Sequence, residues 1–100
     1  MAVAHVQEFE IGDRSTENYD FMQAKLGDDP IEGLLVHTAG FDDESGVWRM
    51  LNVWETREHA DRFTERIMAT VGSPEDLPRP DTAVPPIRDA HYELHGFVKA

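Results

Sequence analysis

The sequence predicts an α+β fold: a ferredoxin-like β-α-β-β-α-β unit with a four-stranded antiparallel sheet and both helices on one face. Three observations carry this. Stretches with strand periodicity and two amphipathic stretches follow one another in that order. Residues 41–46, Phe-Asp-Asp-Glu-Ser-Gly, make a polar connection of hairpin length between the second and third strands. Residues 46–56, Gly-Val-Trp-Arg-Met-Leu-Asn-Val-Trp-Glu-Thr, read as a strand that runs into a helix cap.

Residues 3–11 form the first strand. Its odd positions, Val3, His5, Gln7, Phe9 and Ile11, are the more apolar set, while the even set carries Glu8 and Glu10. Gly12-Asp13-Arg14 breaks it. Ser15 is then an N-cap, with Glu17 in the first turn, where a carboxylate suits the helix dipole. This helix runs to about Leu26, with Tyr19, Met22 and Leu26 as its buried stripe. Gly27 ends it and Asp28-Asp29-Pro30 turns the chain.

Residues 31–40 form the second strand, paired antiparallel with the third across the 41–46 loop, where Gly46 is free to take a positive φ. Thr56 caps the second helix and Glu58 lies in its first turn. Ala60, Phe63, Ile67 and Val71 make an apolar stripe, opposite the charged Asp61, Arg62, Glu65 and Arg66. Gly72 and Pro74 end that helix. Residues 73–86 hold Pro74, Pro78, Pro80, Pro85 and Pro86. They read as a stiffened surface crossover without regular structure, with a lid or an arm to a partner subunit as alternatives. Residues 87–98 are the last strand. The whole chain, 1–100, reads as one domain.

Within 46–56, Val47, Arg49, Leu51 and Val53 share one face, and Trp48, Met50, Asn52 and Trp54 the other. Both faces are largely apolar, so both call for cover. The helices supply one layer. The expectation is that the Trp48 face stays open and is buried against a second copy, sheet facing sheet. Each large side chain buried there contributes about 1.5–3 kcal/mol.

A net charge of −11 argues against a nucleic-acid backbone or an anionic membrane as partner, since both would be repelled. The absence of cysteine excludes disulfides, thiolate nucleophiles and thiolate metal sites. No apolar run approaches the roughly 20 residues of a membrane span, and the N-terminus lacks a basic leader, so a cytoplasmic location is the default expectation. P-loop, G-x-S-x-G and Rossmann glycine patterns are absent. The acidic turns 28–29 and 42–44 lack calcium-loop spacing and read as solvated loops.

Candidate chemistry rests on few residues. His37 lies in an apolar run, so both its ring nitrogens need partners, in the core or at a polar cavity. Asn52 is a polar residue between Met50 and Trp54, and in ordinary register it neighbours His37. Phe41, Trp48, Met50 and Trp54 are candidate walls of a binding site, and His95 a candidate cavity-lining residue. His91 and His95 lie about 13 Å apart on a strand, so they make no metal pair, and no metal or other cofactor is expected.

Gly33-Leu-Leu-Val-His-Thr-Ala-Gly40, followed by Gly46 to Phe63 with its Val-Trp-Glu-Thr run, resembles the dimeric α/β-barrel superfamily. Within it the chain is most similar to small actinobacterial proteins with an antibiotic-biosynthesis-monooxygenase (ABM)-like domain, over about residues 2–98. The resemblance implies a homodimer of ferredoxin-like subunits with a ligand-sized cavity between sheet and helices or within the barrel. Such families include cofactor-independent oxygenases acting on polyketide-type phenols, haem-degrading enzymes and proteins without assigned activity. Trp54 matches a tryptophan of the haem-degrading members. Their first-strand asparagine is Gln7 here, and no histidine lies between His59 and His91, so that activity does not carry over.

Three functions are therefore weighed: a homodimer that binds a small hydrophobic or aromatic molecule, a cofactor-independent monooxygenase on a phenolic substrate, and a structural dimerisation domain. In the second, His37 and Asn52 deprotonate the phenol and hold its anion, so that the substrate reduces oxygen itself.

Overall fold

The computed structural model describes residues 1–97. The elements follow the expected order: β1 (Val3–Phe9), α1 (Glu17–Leu26), β2 (Leu34–Asp42), β3 (Val47–Trp54), α2 (Arg57–Val71) and β4 (Arg88–Glu93). The strands form one antiparallel sheet in the order β2-β3-β1-β4, which is the ferredoxin-like arrangement.

The caps explain the helix limits. Thr56 is extended (φ −142°, ψ 161°), and its hydroxyl accepts from the His59 N–H at 3.2 Å. At the far end of α2, Gly72 takes φ 74° and donates its N–H to Met68 O. For α1 the N-cap is Thr16 rather than Ser15, and no side chain caps it; the Ser15 hydroxyl still accepts from Glu17 N at 3.3 Å.

Several strand limits differ from expectation. β1 stops at Phe9 instead of residue 11, because the chain turns at 12–13, where Arg14 N–H donates to Ile11 O. β2 begins at Leu34 and runs on to Asp42, which leaves only residues 43–46 for the turn. Gly33 sets that late start. It has φ 79°, and a Cβ there would overlap the His59 ring. Its carbonyl accepts from Glu55 N at 2.8 Å, tying the start of β2 to the end of β3. β4 ends at Glu93, one residue before Leu94 N–H donates to Ala2 O; residue 98 of the expected strand lies outside the described residues.

Pairing decides the faces. Val3 lies opposite Trp54, His5 opposite Asn52, Gln7 opposite Met50 and Phe9 opposite Trp48, so these eight share one side of the sheet. That side faces the helices. Trp54 packs against Phe63 of α2 and Trp48 meets Tyr19 of α1 edge-on, each with ring centroids 5.2 Å apart. The expectation that Trp48, Met50, Asn52 and Trp54 lie on the open face is corrected: they lie beneath the helices. The open face instead carries Val6, Leu51 and Val53 together with a charged bar. Arg49 bridges Glu8 on β1 at 2.6 Å and Asp42 on β2 at 2.7 Å. Charged groups stay toward water, and the aromatic half of β3 takes the helical cover.

One row of this register is polar throughout. His37 pairs with Asn52, Asn52 with His5, and His5 with His91, so the row crosses all four strands on the helix-facing side. Among the described residues no helix is long and apolar enough to cross a membrane.

Candidate functional site

A cavity of about 600 Å³ lies between the sheet and the helices. Phe9, Trp48, Met50 and Trp54 form its floor, Tyr19, Met22 and Leu26 of α1 one wall, and Phe63 and Ile67 of α2 another. These are the helix stripes read from the sequence, so the amphipathic faces that build the core also build the cavity.

Polar groups converge at one place. Asn52, 9% exposed, lies in the floor on β3; His37 lies beside it on the edge strand β2, exposed at the rim. His37 Nδ1 and Asn52 Oδ1 are 2.5 Å apart, and His37 Nε2 lies 2.5 Å from the Tyr19 hydroxyl. The amide oxygen can only accept, so Nδ1 carries the proton of the neutral ring. That leaves Nε2 as the acceptor and Tyr19 O–H as its donor. Burial pushes the Tyr19 pKa above its ordinary value, the Asp20 charge adds to this, and Gln23 opposes it. Tyr19 is thus a neutral donor at neutral pH. The chain Tyr19–His37–Asn52 presents a base whose orientation and tautomer are fixed from behind.

Close by, the Trp54 indole N–H is buried without a hydrogen-bond partner, the one such side-chain atom among the described residues. Leaving a buried donor unpaired costs about 1–3 kcal/mol, a cost the packing around Trp54 offsets.

The proline-rich segment is more than a crossover. It forms two 3₁₀ turns, Pro74–Asp76 and Pro80–Thr82, and its Leu77, Ala83 and Val84 line the cavity. Ser73 caps the first turn by accepting from Glu75 N, while Asp76 accepts from Ser73 N. Arg79 anchors the second turn, reaching Asp13 at 2.5 Å and Asp81 at 2.9 Å. Hydrogen bonding to Arg79 holds both carboxyls below their usual range. Of the three roles weighed for residues 73–86, the structure has them cover the cavity as a strap.

The residues singled out from sequence divide accordingly. His37, Asn52, Trp48, Met50 and Trp54 all line the cavity. Phe41 does not: it packs behind Trp48, centroids 4.9 Å apart, with the Arg14 guanidinium over its other contact surface at 4.7 Å. His95 is exposed beyond the end of β4 and does not line the cavity, because the strand stops too soon to carry it there. Tyr19 was missed as a polar group. It counts as apolar in a helical stripe, and only the placement of α1 over β2 brings its hydroxyl to His37.

No protein-family model matches the sequence, and no curated protein does. Among solved structures the chain is similar to a candidate antibiotic biosynthesis monooxygenase from Chloroflexus aurantiacus J-10-fl. The identity is 14%, covering 99% of this chain and 98% of that one, with a TM-score of 0.64. It is also similar to Rv0793 from Mycobacterium tuberculosis, at 15% identity over 100% and 99% of the two chains, with a TM-score of 0.56. At this identity the likeness establishes the shared fold alone, the ferredoxin-like α+β fold.

Proposed function

We propose that this protein is an ABM-like binder of a small hydrophobic or aromatic molecule, held between sheet and helices with a hydroxyl or carbonyl directed at Tyr19 and His37. The observation that carries this reading is an apolar cavity of about 600 Å³ with a single convergent polar chain, Tyr19–His37–Asn52. We further place it with the small actinobacterial ABM-like proteins, as a cytoplasmic homodimer joined through the open sheet face. The structural domain that binds nothing is the weaker reading, since its cavity would have no use.

A second reading is favoured by the tautomer of His37. With Nε2 unprotonated, a phenolic ligand whose hydroxyl displaces that of Tyr19 meets a base, and Asn52 stabilises the imidazolium that forms. In a cofactor-independent oxygenation of an anthrone-type compound, His37 takes the ionisable proton. The ring CH₂ then loses its two hydrogens, one atom of O₂ becomes the new carbonyl oxygen, and the other leaves as water. The substrate supplies the electrons.

Titration with anthrone- or quinol-type compounds, followed by quenching of Trp48 and Trp54 fluorescence, tests binding; oxygen uptake tests turnover. Saturable quenching, weakened roughly tenfold in His37→Ala by loss of a hydrogen bond to the ligand, is the expected result. Equal oxygen uptake by wild type and His37→Ala would remove His37 from the mechanism, and absent quenching would remove the ligand.

A further inference from the structure

Outside the cavity, β1 and β4 bring His5 together with two side chains more than 80 positions away, Asp89 and His91. His5 and His91 are direct cross-strand partners, and Asp89 lies two residues before His91 on the same face. The imidazoles stack with centroids 3.8 Å apart and planes 14° from parallel. His5 Nε2 meets Asp89 Oδ1 at 2.5 Å. One ligand atom from each residue lies within 4.8 Å of the others. None of the three lines the cavity.

We propose that His5, His91 and Asp89 bind one divalent transition-metal ion of the zinc type, through two imidazole nitrogens and a carboxylate oxygen, with the remaining positions open to water. The donor set suits such ions, which take imidazole and carboxylate ligands together. Metal–ligand bonds of about 2.0–2.2 Å at a tetrahedral centre place donor atoms roughly 3.4 Å apart. The donor atoms now stand between 2.5 and 4.8 Å apart, a range that brackets that value.

The surroundings favour a cation over an empty cluster. His5 is 8% exposed and its ring is already oriented by the carboxylate, so little ordering remains for binding. Asp89 is 45% exposed, which gives an ion a way in at the edge strand. Arg57, whose charge bears on His91, is paired with Asp61 at 3.1 Å. The chain's net charge of −11 draws cations to it from solution.

Calorimetric titration of the full chain with Zn²⁺ and with Co²⁺ at pH 7.5 tests this. One ion per chain is expected, with a change in the visible Co²⁺ absorption on binding. His91→Ala and Asp89→Asn should each weaken binding by more than about tenfold, since even groups that only orient a metal ligand are worth that much. These two residues are partly exposed, so their variants fold even if His5→Ala does not. His95→Ala and His59→Ala should bind as wild type. The proposal is overturned if no ion binds, or if binding survives both His91→Ala and Asp89→Asn. Either result would make the cluster a plain carboxylate–histidine pair, and neither bears on ligand binding in the cavity.

Discussion

Asn18 grips a single residue of the strap from both sides: its Oδ1 accepts from Arg79 N at 2.9 Å while its Nδ2 donates to Arg79 O at 2.8 Å. Nδ2 also reaches the Thr82 hydroxyl at 2.9 Å. A side chain of α1 thus substitutes for a strand partner along the proline-rich segment, which has few backbone donors of its own.

Asn18→Ala should loosen the strap without unfolding the domain. Each lost hydrogen bond contributes about 1 kcal/mol, so amide exchange at Arg79 should speed at least roughly tenfold. Hydrogen-exchange mass spectrometry over residues 73–86 measures this. Unchanged protection there would show that the prolines and Arg79–Asp13 hold the strap alone.

Gly33→Ala should destabilise the fold by more than about 1–2 kcal/mol, the cost of a left-handed backbone alone, because the new methyl also meets the His59 ring. Thermal melts of the two proteins decide it. A His59→Gly background should relieve the collision and leave the backbone part of the loss.

Arg49 holds the Asp42 carboxyl down to about 2, helped by the backbone N–H groups of Glu44 and Ser45. The folded value is depressed, so the unfolded chain binds more protons in between. This contribution is present above the ordinary value of 3.8 and is lost as pH falls through about 2. In acid titrations followed by circular dichroism, Asp42→Asn should flatten the pH dependence across that window. A wild-type slope there in the variant would assign the acid sensitivity to other carboxyls.

The proposed homodimer, joined through the open face, should run well above 11.4 kDa in light scattering. Leu51→Lys, which places an unpaired charge on that face, should shift it toward monomer while leaving the helix-side cavity intact. A wild-type mass near 11.4 kDa would end the dimer proposal.

The order of elements and the α2 stripe were readable because strand alternation and the period-3.6 pattern of α2 are clear, whereas α1 is only weakly amphipathic and its stripe rests on Tyr19, Met22 and Leu26. The alternation within β3 was readable too, but not which half faces the helices. Both halves are apolar, so β3 alone cannot decide. The deciding signal lies in three charged residues: Glu8, Arg49 and Asp42 share one side once β1, β3 and β2 pair, and that side is the solvated one. His37 and Asn52 met as their hairpin register implied. Tyr19 could not be anticipated, because its contact with His37 depends on how α1 crosses the sheet. The His5–His91 pair was hidden for another reason. Histidine spacing along one strand carries no sign of it, because the partners lie 86 positions apart and meet across the ladder.

The polar row that spans the sheet ties these regions into one system. His37 and Asn52 end it at the cavity, His5 and His91 end it at the cluster with Asp89, and Asn52 and His5 are adjacent in register. Asn52 and His5 stand one strand spacing, about 4.8 Å, apart. If an occupant of the cavity alters cation affinity by some factor, the cation must alter the occupant's affinity by that same factor. Reciprocity of this kind would make the ladder row an allosteric link, with the binding curve of either component reporting the presence of the other.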